Sequence, residues 1–410
     1  MSNKKEKTRG LNRRQFLVRS SLAAAGVSVL PGKLFASALI DLRGPVAPKR
    51  VLILGAGLAG MVAGYELSQL GHNVTILEAR MRPGGRVHTL REPFSDGLYA
   101  EAGAARIPDD HDLTLKYLKL LDVPLEPMYP TRLSTVRLDG GPRRLVGPEG
   151  FTEALGKNFG DELGGNPARW SKIKGGSDLF PTALAKRLAD KIYYGAPVVR
   201  LEQDAESARA VFLHGGSPQT ISADRILCTI PFSVLRQIEL PANLSQVKQD
   251  IIRKQQYDAV SRVYLQAKKR SWEEKGLSGF AFTNDAVEIW QPTWSQPGPR
   301  GILMTYARPG QAERIGSLKE ADRISSTLTQ LEDIFPGLRE NFEGGTSKVW
   351  MEDEWSRGAW SFVNPRDFVR ITAPEGRIHF AGEHLSAAPS WMQGALASGL
   401  RAVKEINEAA

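Results

Sequence analysis

The chain is poor in several residues that common chemistries require. A single cysteine, Cys228, in 410 residues excludes an intramolecular disulfide and a thiolate metal cluster. Six scattered histidines offer no ligand spacing of the zinc type, and neither a Ser-His-Asp set nor a kinase-type phosphate loop stands out. Beyond the first 38 residues no apolar run approaches the roughly 18 residues of a membrane span, so no transmembrane helix is expected in the body. A net excess of charge is also scarce in the body. The formal net charge is +9, but Lys4, Lys5, Lys7, Arg9, Arg13, Arg14, Arg19 and Lys33 against Glu6 place +7 in residues 1–38 and leave +2 for the rest. A nearly neutral body has no footprint for nucleic acid or an anionic membrane. With 41% apolar and 24% charged residues, the composition is that of an ordinary globular protein long enough for two domains.

What is present begins with the leader. A basic stretch is followed by Asn12-Arg13-Arg14-Gln15-Phe16-Leu17, the apolar run Ser21 to Leu30, and Ala36-Ser37-Ala38. That order reads as a cleavable export signal, and the paired arginines before Phe-Leu resemble the twin-arginine type. A Sec signal or a disordered basic tail is the alternative. The expectation is a signal over 1–38, a linker over 39–49, use of the twin-arginine export machinery, and a periplasmic or secreted product. That route carries proteins already folded, so a large bound ligand would supply stability that disulfides cannot.

No internal repeat is visible. Val51 to Leu54 is a short apolar run suited to a buried parallel strand; a glycine turn follows, then helical periodicity over Leu58 to Leu70 and a second strand, Asn73 to Leu77. This is a βαβ unit. Strands are also predicted over Pro197–Glu202, Ala210–Leu213, Arg225–Thr229 and Arg377–Phe380, with a last helix from Met392 to Asn407. Ala259–Ala267, Gly279–Phe282, Ala286–Trp290 and Gly301–Tyr306 alternate like strands of an antiparallel sheet. The fold class is α/β, with a Rossmann-like cofactor domain (50–112, 173–245, 366–410) interleaved with a substrate domain of antiparallel sheet and helices (113–172, 246–365).

The first turn carries the cofactor signal. Gly55-Ala56-Gly57-Leu58-Ala59-Gly60 is GxGxxG at a strand-to-helix junction: a tight turn, a backbone able to approach a pyrophosphate, and close packing of helix on strand. The amides of Leu58 and Ala59 lie at the helix N-terminus, where phosphate binds. Glu78, at the end of the second strand, adds the carboxylate that binds ribose hydroxyls. Glu78-Ala79-Arg80 and Pro83-Gly84-Gly85-Arg86 then supply a second glycine turn and two arginines, which a nicotinamide enzyme does not need.

These motifs, with the late Phe380-Ala381-Gly382-Glu383, resemble the flavin amine oxidase family over roughly residues 50–405. The resemblance implies FAD, with Gly103, Ala104, Ala105 and Arg106 along the cofactor, Val198 near the adenine, Thr229 at a strand end, and Gly382, Glu383, Trp391 and Met392 at the flavin. A helix starting at Met392 would aim its amides at the flavin edge that gains negative charge on reduction.

The resemblance also populates the substrate side. Trp360 and Trp391 match the aromatic positions that flank the amine. Arg106, in Gly103-Ala104-Ala105-Arg106-Ile107-Pro108, matches the arginine that grips the substrate carboxylate in L-amino acid oxidases; its alternatives are a flavin phosphate contact or a structural ion pair. Arg262 stands where the family commonly has a lysine holding a water beside the flavin, and a guanidinium cannot act as a base. Slow reaction with O2 and use of a periplasmic electron acceptor follow as expectations. The stretch Gly140 to Lys172 is shorter than the helical insertion of L-amino acid oxidases, which leaves the pocket more open or covered by a partner subunit, as in a homodimer. His384 is read as structural. The implied activity is oxidation of an L-amino acid at Cα; monoamine or polyamine oxidation, a periplasmic amine dehydrogenase and a non-catalytic flavin protein are the alternatives.

Overall fold

A computed structural model describes residues 47–409 apart from 139–140, 160–164, 284–286 and 362–363; the expected export signal and most of the expected linker, before residue 47, lie outside the described residues. The βαβ unit forms as its pattern requires. Arg50–Leu54 and Asn73–Leu77 pair in parallel around helix Leu58–Gln69, and Ile192–Tyr193, Arg225–Cys228 and Ile378–Phe380 complete a five-stranded parallel sheet. Both faces of the central strand are covered. Val51 and Ile53 enter one apolar cluster, Leu52 and Leu54 the other, which is why the run is continuous rather than alternating. Val198–Gln203, Ala208–His214 and Ser217–Ala223 form a separate three-stranded antiparallel sheet.

The last helix, Met392–Glu408, lies against the first: a Cβ on Gly399 would stand 2.5 Å from the Ala59 carbonyl oxygen. That contact brings the C-terminal motif back to the glycine turn.

The second sheet has seven strands in the order Phe342–Val349, Ser261–Ala267, Gly301–Ala307, Glu288–Trp290, Leu277–Phe282, Ser134–Arg137, Arg144–Val146. It is antiparallel except that Ser134–Arg137 runs parallel to Leu277–Phe282. These two strands come from distant pieces of chain, so no hairpin dictates their direction. Val263, Leu265 and Leu303 point to one face, which helix Glu320–Ile334 covers with Leu328, Leu331 and Ile334. Truncating such a residue, Leu331 for example, costs about 2–5 kcal/mol. Tyr264, Ile302, Met304 and Tyr306 point to the other face, toward the cofactor domain.

Candidate active site

The glycine turn builds a cradle. Gly55 has φ +103°, a conformation that only glycine adopts without strain, and its amide donates to the Leu77 carbonyl at 2.7 Å. A Cβ on Gly60 would lie 2.1 Å from the Gly55 carbonyl oxygen, so helix and turn touch backbone to backbone. Gly57 differs: a Cβ there meets nothing within 4 Å, and no side chain caps the helix it begins. The turn therefore presents uncapped amides at an open position. Gly84 bridges Gly57, and its amide donates to the Ala56 carbonyl at 2.8 Å, placing the second glycine turn against the first.

Glu78 is buried, and its carboxylate accepts from the amides of Ala56 (2.7 Å) and Arg80 (2.8 Å). Burial pushes its carboxyl above the ordinary value, against the pull of those two amides. Arg80 pairs with Asp353 and donates to Ser356 (3.1 Å), tying the cofactor domain to the segment before Trp360. Arg86 pairs with Glu383 and donates to the Ala359 carbonyl at 2.8 Å, while Glu383 also accepts from the Ser390 amide at 2.8 Å. Three distant pieces of chain, around 86, 359 and 383–390, thus meet at one ion pair. A Cβ on Gly103 would lie 1.8 Å from the Arg86 carbonyl oxygen, which sets Ala104 and Ala105 beside the same turn. Thr229 donates to the Leu54 carbonyl (2.8 Å) at the opposite side of the turn, and Val198 opens its own sheet.

On the substrate side, Trp360 and Trp391 pack against a buried cluster that includes Tyr129, Trp170, Phe280, Trp290, Met304 and Tyr306. The Trp360 indole donates to Asp258 at 3.0 Å, and Trp391 meets His111 edge-on at 4.9 Å. Trp391 is also the residue before helix Met392–Glu408, whose start has no side-chain cap and no acidic residue in its first turn.

Arg106 sits within this chamber, 7% exposed. Its guanidinium carbon is 4.3 Å from the Trp290 ring centroid and 5.5 Å from that of Trp170. Nε donates to the Tyr129 hydroxyl at 2.9 Å, and Nη2 is in an ion pair with the fully buried Glu288. Glu288 also accepts from Arg308 (2.9 Å) and the Trp290 indole (2.8 Å). Burial opposes both charges of the pair, but each partner overrides it. The Arg106 pKa is raised and that of Glu288 lowered, so both stay ionised. The structural ion pair that sequence left open for Arg106 is present. Arg262, 5% exposed, donates to the Glu101 carbonyl at 2.6 Å and stacks 4.6 Å from the Tyr306 centroid.

A model of the flavin containing amine oxidoreductase family matches residues 58–149 and 145–407. The chain belongs to that family. Among its relatives, YobN of Bacillus subtilis, assigned by its name to the L-amino-acid oxidases, is 32% identical over 88% of this chain and 95% of its own length. The flavin-dependent L-tryptophan oxidase RebO of Lentzea aerocolonigenes is 28% identical over 87% and 98%. Among solved structures, wild-type putrescine oxidase bound to putrescine superposes with a TM-score of 0.74 at 19% identity, covering 88% of this chain and 99% of that one. Cyclohexylamine oxidase from Brevibacterium oxydans does so with 0.74 at 18%, over 88% and 99%.

This amine oxidoreductase is an enzyme with FAD as its cofactor, and the cradle fits the group. The open position at Gly57, the uncapped helix start and the fixed Glu78 carboxylate are what a pyrophosphate and a ribose require.

Other residues of the site were invisible in the sequence. Arg82 donates to the carbonyls of Pro83 (3.1 Å), Gly85 (3.0 Å) and Val87 (3.4 Å), clamping the second glycine turn; burial brings its pKa down to about 10. Glu288, Trp290, Tyr129 and Tyr306 surround Arg106 and belong to no motif. His384 is fully buried, edge-on to Phe232 at 4.8 Å, and burial pushes its pKa well below the usual value. Neither of its ring nitrogens has a hydrogen-bond partner among the described residues.

Proposed function

We propose that this amine oxidoreductase deaminates an L-amino acid oxidatively, yielding an imino acid that hydrolyses to a 2-oxo acid and ammonia, with O2 or a periplasmic carrier as final electron acceptor. The observation that carries the reading is a guanidinium, Arg106, buried in an aromatic chamber with Trp360 and Trp391 at its edge. The relatives whose names specify L-amino-acid or L-tryptophan oxidase support the same direction. When bound, FAD supplies the hydride acceptor. Arg106 orients the substrate by its carboxylate; Trp360 and Trp391 flank the neutral amine and exclude water from Cα; the uncapped start of helix Met392–Glu408 offers amides where negative charge develops.

A second reading, oxidation of an amine without a carboxylate, is favoured by one observation: Glu288 already occupies part of the Arg106 guanidinium. The two are separated by anaerobic bleaching of the yellow protein with each L-amino acid beside its decarboxylated amine. Amino acids should bleach the flavin and their amines should do so poorly. Equal bleaching by both would replace the first reading with the second.

A further inference from the structure

The large sheet sets a row of charge toward the chamber. Its register places Lys348, Arg262, Tyr306 and Glu288 side by side on four adjacent strands, and directly paired residues point to the same face. Three of the cations near this row have an anion: Lys348 is paired with Asp353, and Arg106 and Arg308 share Glu288. Arg262 has none. Among the described residues no carboxylate lies within ion-pair distance of it: its Nη1 donates to the Glu101 carbonyl beside the Tyr264 hydroxyl, the buried Glu101 carboxyl acts on it only from longer range, and its Nε is buried without a hydrogen-bond partner. A buried guanidinium without a contacting anion is costly, so the arrangement leaves a place for one to be delivered.

The rings define where it arrives. Trp290 and Tyr306 stack on both guanidinium groups: Arg106 lies 4.3 Å from Trp290 and 5.6 Å from Tyr306, Arg262 5.5 Å and 4.6 Å. The two therefore share one aromatic wall. Under the reading above, Arg106 takes the α-carboxylate. That leaves Arg262 for a second acidic group, and a planar guanidinium recognises a carboxylate best. We propose that Arg262 seats a side-chain carboxylate and that the preferred substrates are acidic L-amino acids of the glutamate or aspartate kind. The inference rests on the amino-acid reading.

The test uses the FAD-loaded protein and isosteric pairs. Anaerobic flavin reduction by L-glutamate against L-glutamine, and L-aspartate against L-asparagine, should favour one acid over its amide on the order of 100-fold in efficiency. Glutarate should inhibit far better than glutaramate. In Arg262→Gln the acid-to-amide ratio should collapse toward one whatever the remaining rate, with FAD content checked by absorbance. If that variant does not load FAD, the wild-type ratio and the inhibitor pair decide. Equal reduction by acid and amide in the wild type, or an unchanged ratio in Arg262→Gln, overturns the second carboxylate and leaves deamination of neutral amino acids standing. Bleaching by amines as readily as by amino acids removes both.

Discussion

The pair of Arg106 with Glu288 makes a quantitative test, because the same side chain is assigned a structural and a substrate role. In Arg106→Met, Glu288 would remain fully buried with only Arg308 and the Trp290 indole beside it. Breaking a buried ion pair from one side costs about 3–5 kcal/mol. The surviving Arg308 contact holds the loss toward the lower end, still a large part of the roughly 5–15 kcal/mol that keeps a domain folded. Adding Glu288→Gln removes the stranded charge while leaving an amide oxygen for the Trp290 indole. Arg308, 22% exposed in its side chain, then turns to water. The double variant should regain most of the loss, ending within about 1–2 kcal/mol of wild type. Urea unfolding of the FAD-loaded proteins, followed by flavin fluorescence, measures this. A single variant as stable as wild type, or a double variant no better than the single, would refute the buried pair. The stabilised double variant then isolates the substrate role: flavin reduction by an L-amino acid should stay about 100-fold or more below wild type, while reduction by its decarboxylated amine changes little. Equal loss for both would assign Arg106 to the fold or the flavin.

Three further outcomes are expected. Gly57→Val should fold, since its φ of −74° and the open space around its Cβ tolerate a side chain, yet purify colourless because that space belongs to the pyrophosphate; yellow protein with one FAD per chain would contradict the cradle. Arg13→Lys with Arg14→Lys should hold FAD-loaded precursor in the cytoplasm, and normal export of that variant, scored by fractionation, would point to the Sec route. Burial pushes the Glu101 carboxyl up to about 7 from 4.5, against the Ser177 amide and Thr89 hydroxyl. Between those values the folded state keeps a proton the unfolded chain has lost, so stability should fall by about 3 kcal/mol as pH rises through that window and level above it. Unfolding midpoints of wild type and Glu101→Gln from pH 4.5 to 8 check this, and a difference that does not vary with pH would show that Glu101 titrates normally.

The cofactor cradle was legible in the sequence because its requirements are local. Gly55, Gly57, Gly60 and Glu78 are fixed by two adjacent strands, one turn and one helix, and that geometry dictates their spacing. The late motif at 380–383 was readable for the same reason, although only the packing of Gly399 on Ala59 explains how it reaches the turn. Partnerships across the chain were not legible. Nothing near Arg106 names Glu288, and nothing near Arg80 names Asp353. Strand Phe342–Val349 was not legible because Gly344-Gly345 interrupts its pattern. A Cβ on Gly345 would lie 2.4 Å from the Tyr264 carbonyl oxygen, so close approach to the neighbouring strand selects the glycine there.

Net charge shows the same division between local and distributed information. A body carrying about +2 has little net charge to draw polyanions from a distance, and surface charges farther apart than a Debye length of about 8 Å are screened in any case. Buried charges are not. Within one sheet row, the placement of Lys348, Arg262 and Glu288 around Tyr306 concentrates charge that the overall sum conceals. The sign of what this enzyme binds is therefore set by which guanidinium lacks a carboxylate. That is a property of strand register: shifting Ser261–Ala267 by one residue would turn Arg262 toward the apolar face beneath Leu331 and put Val263 against Tyr306.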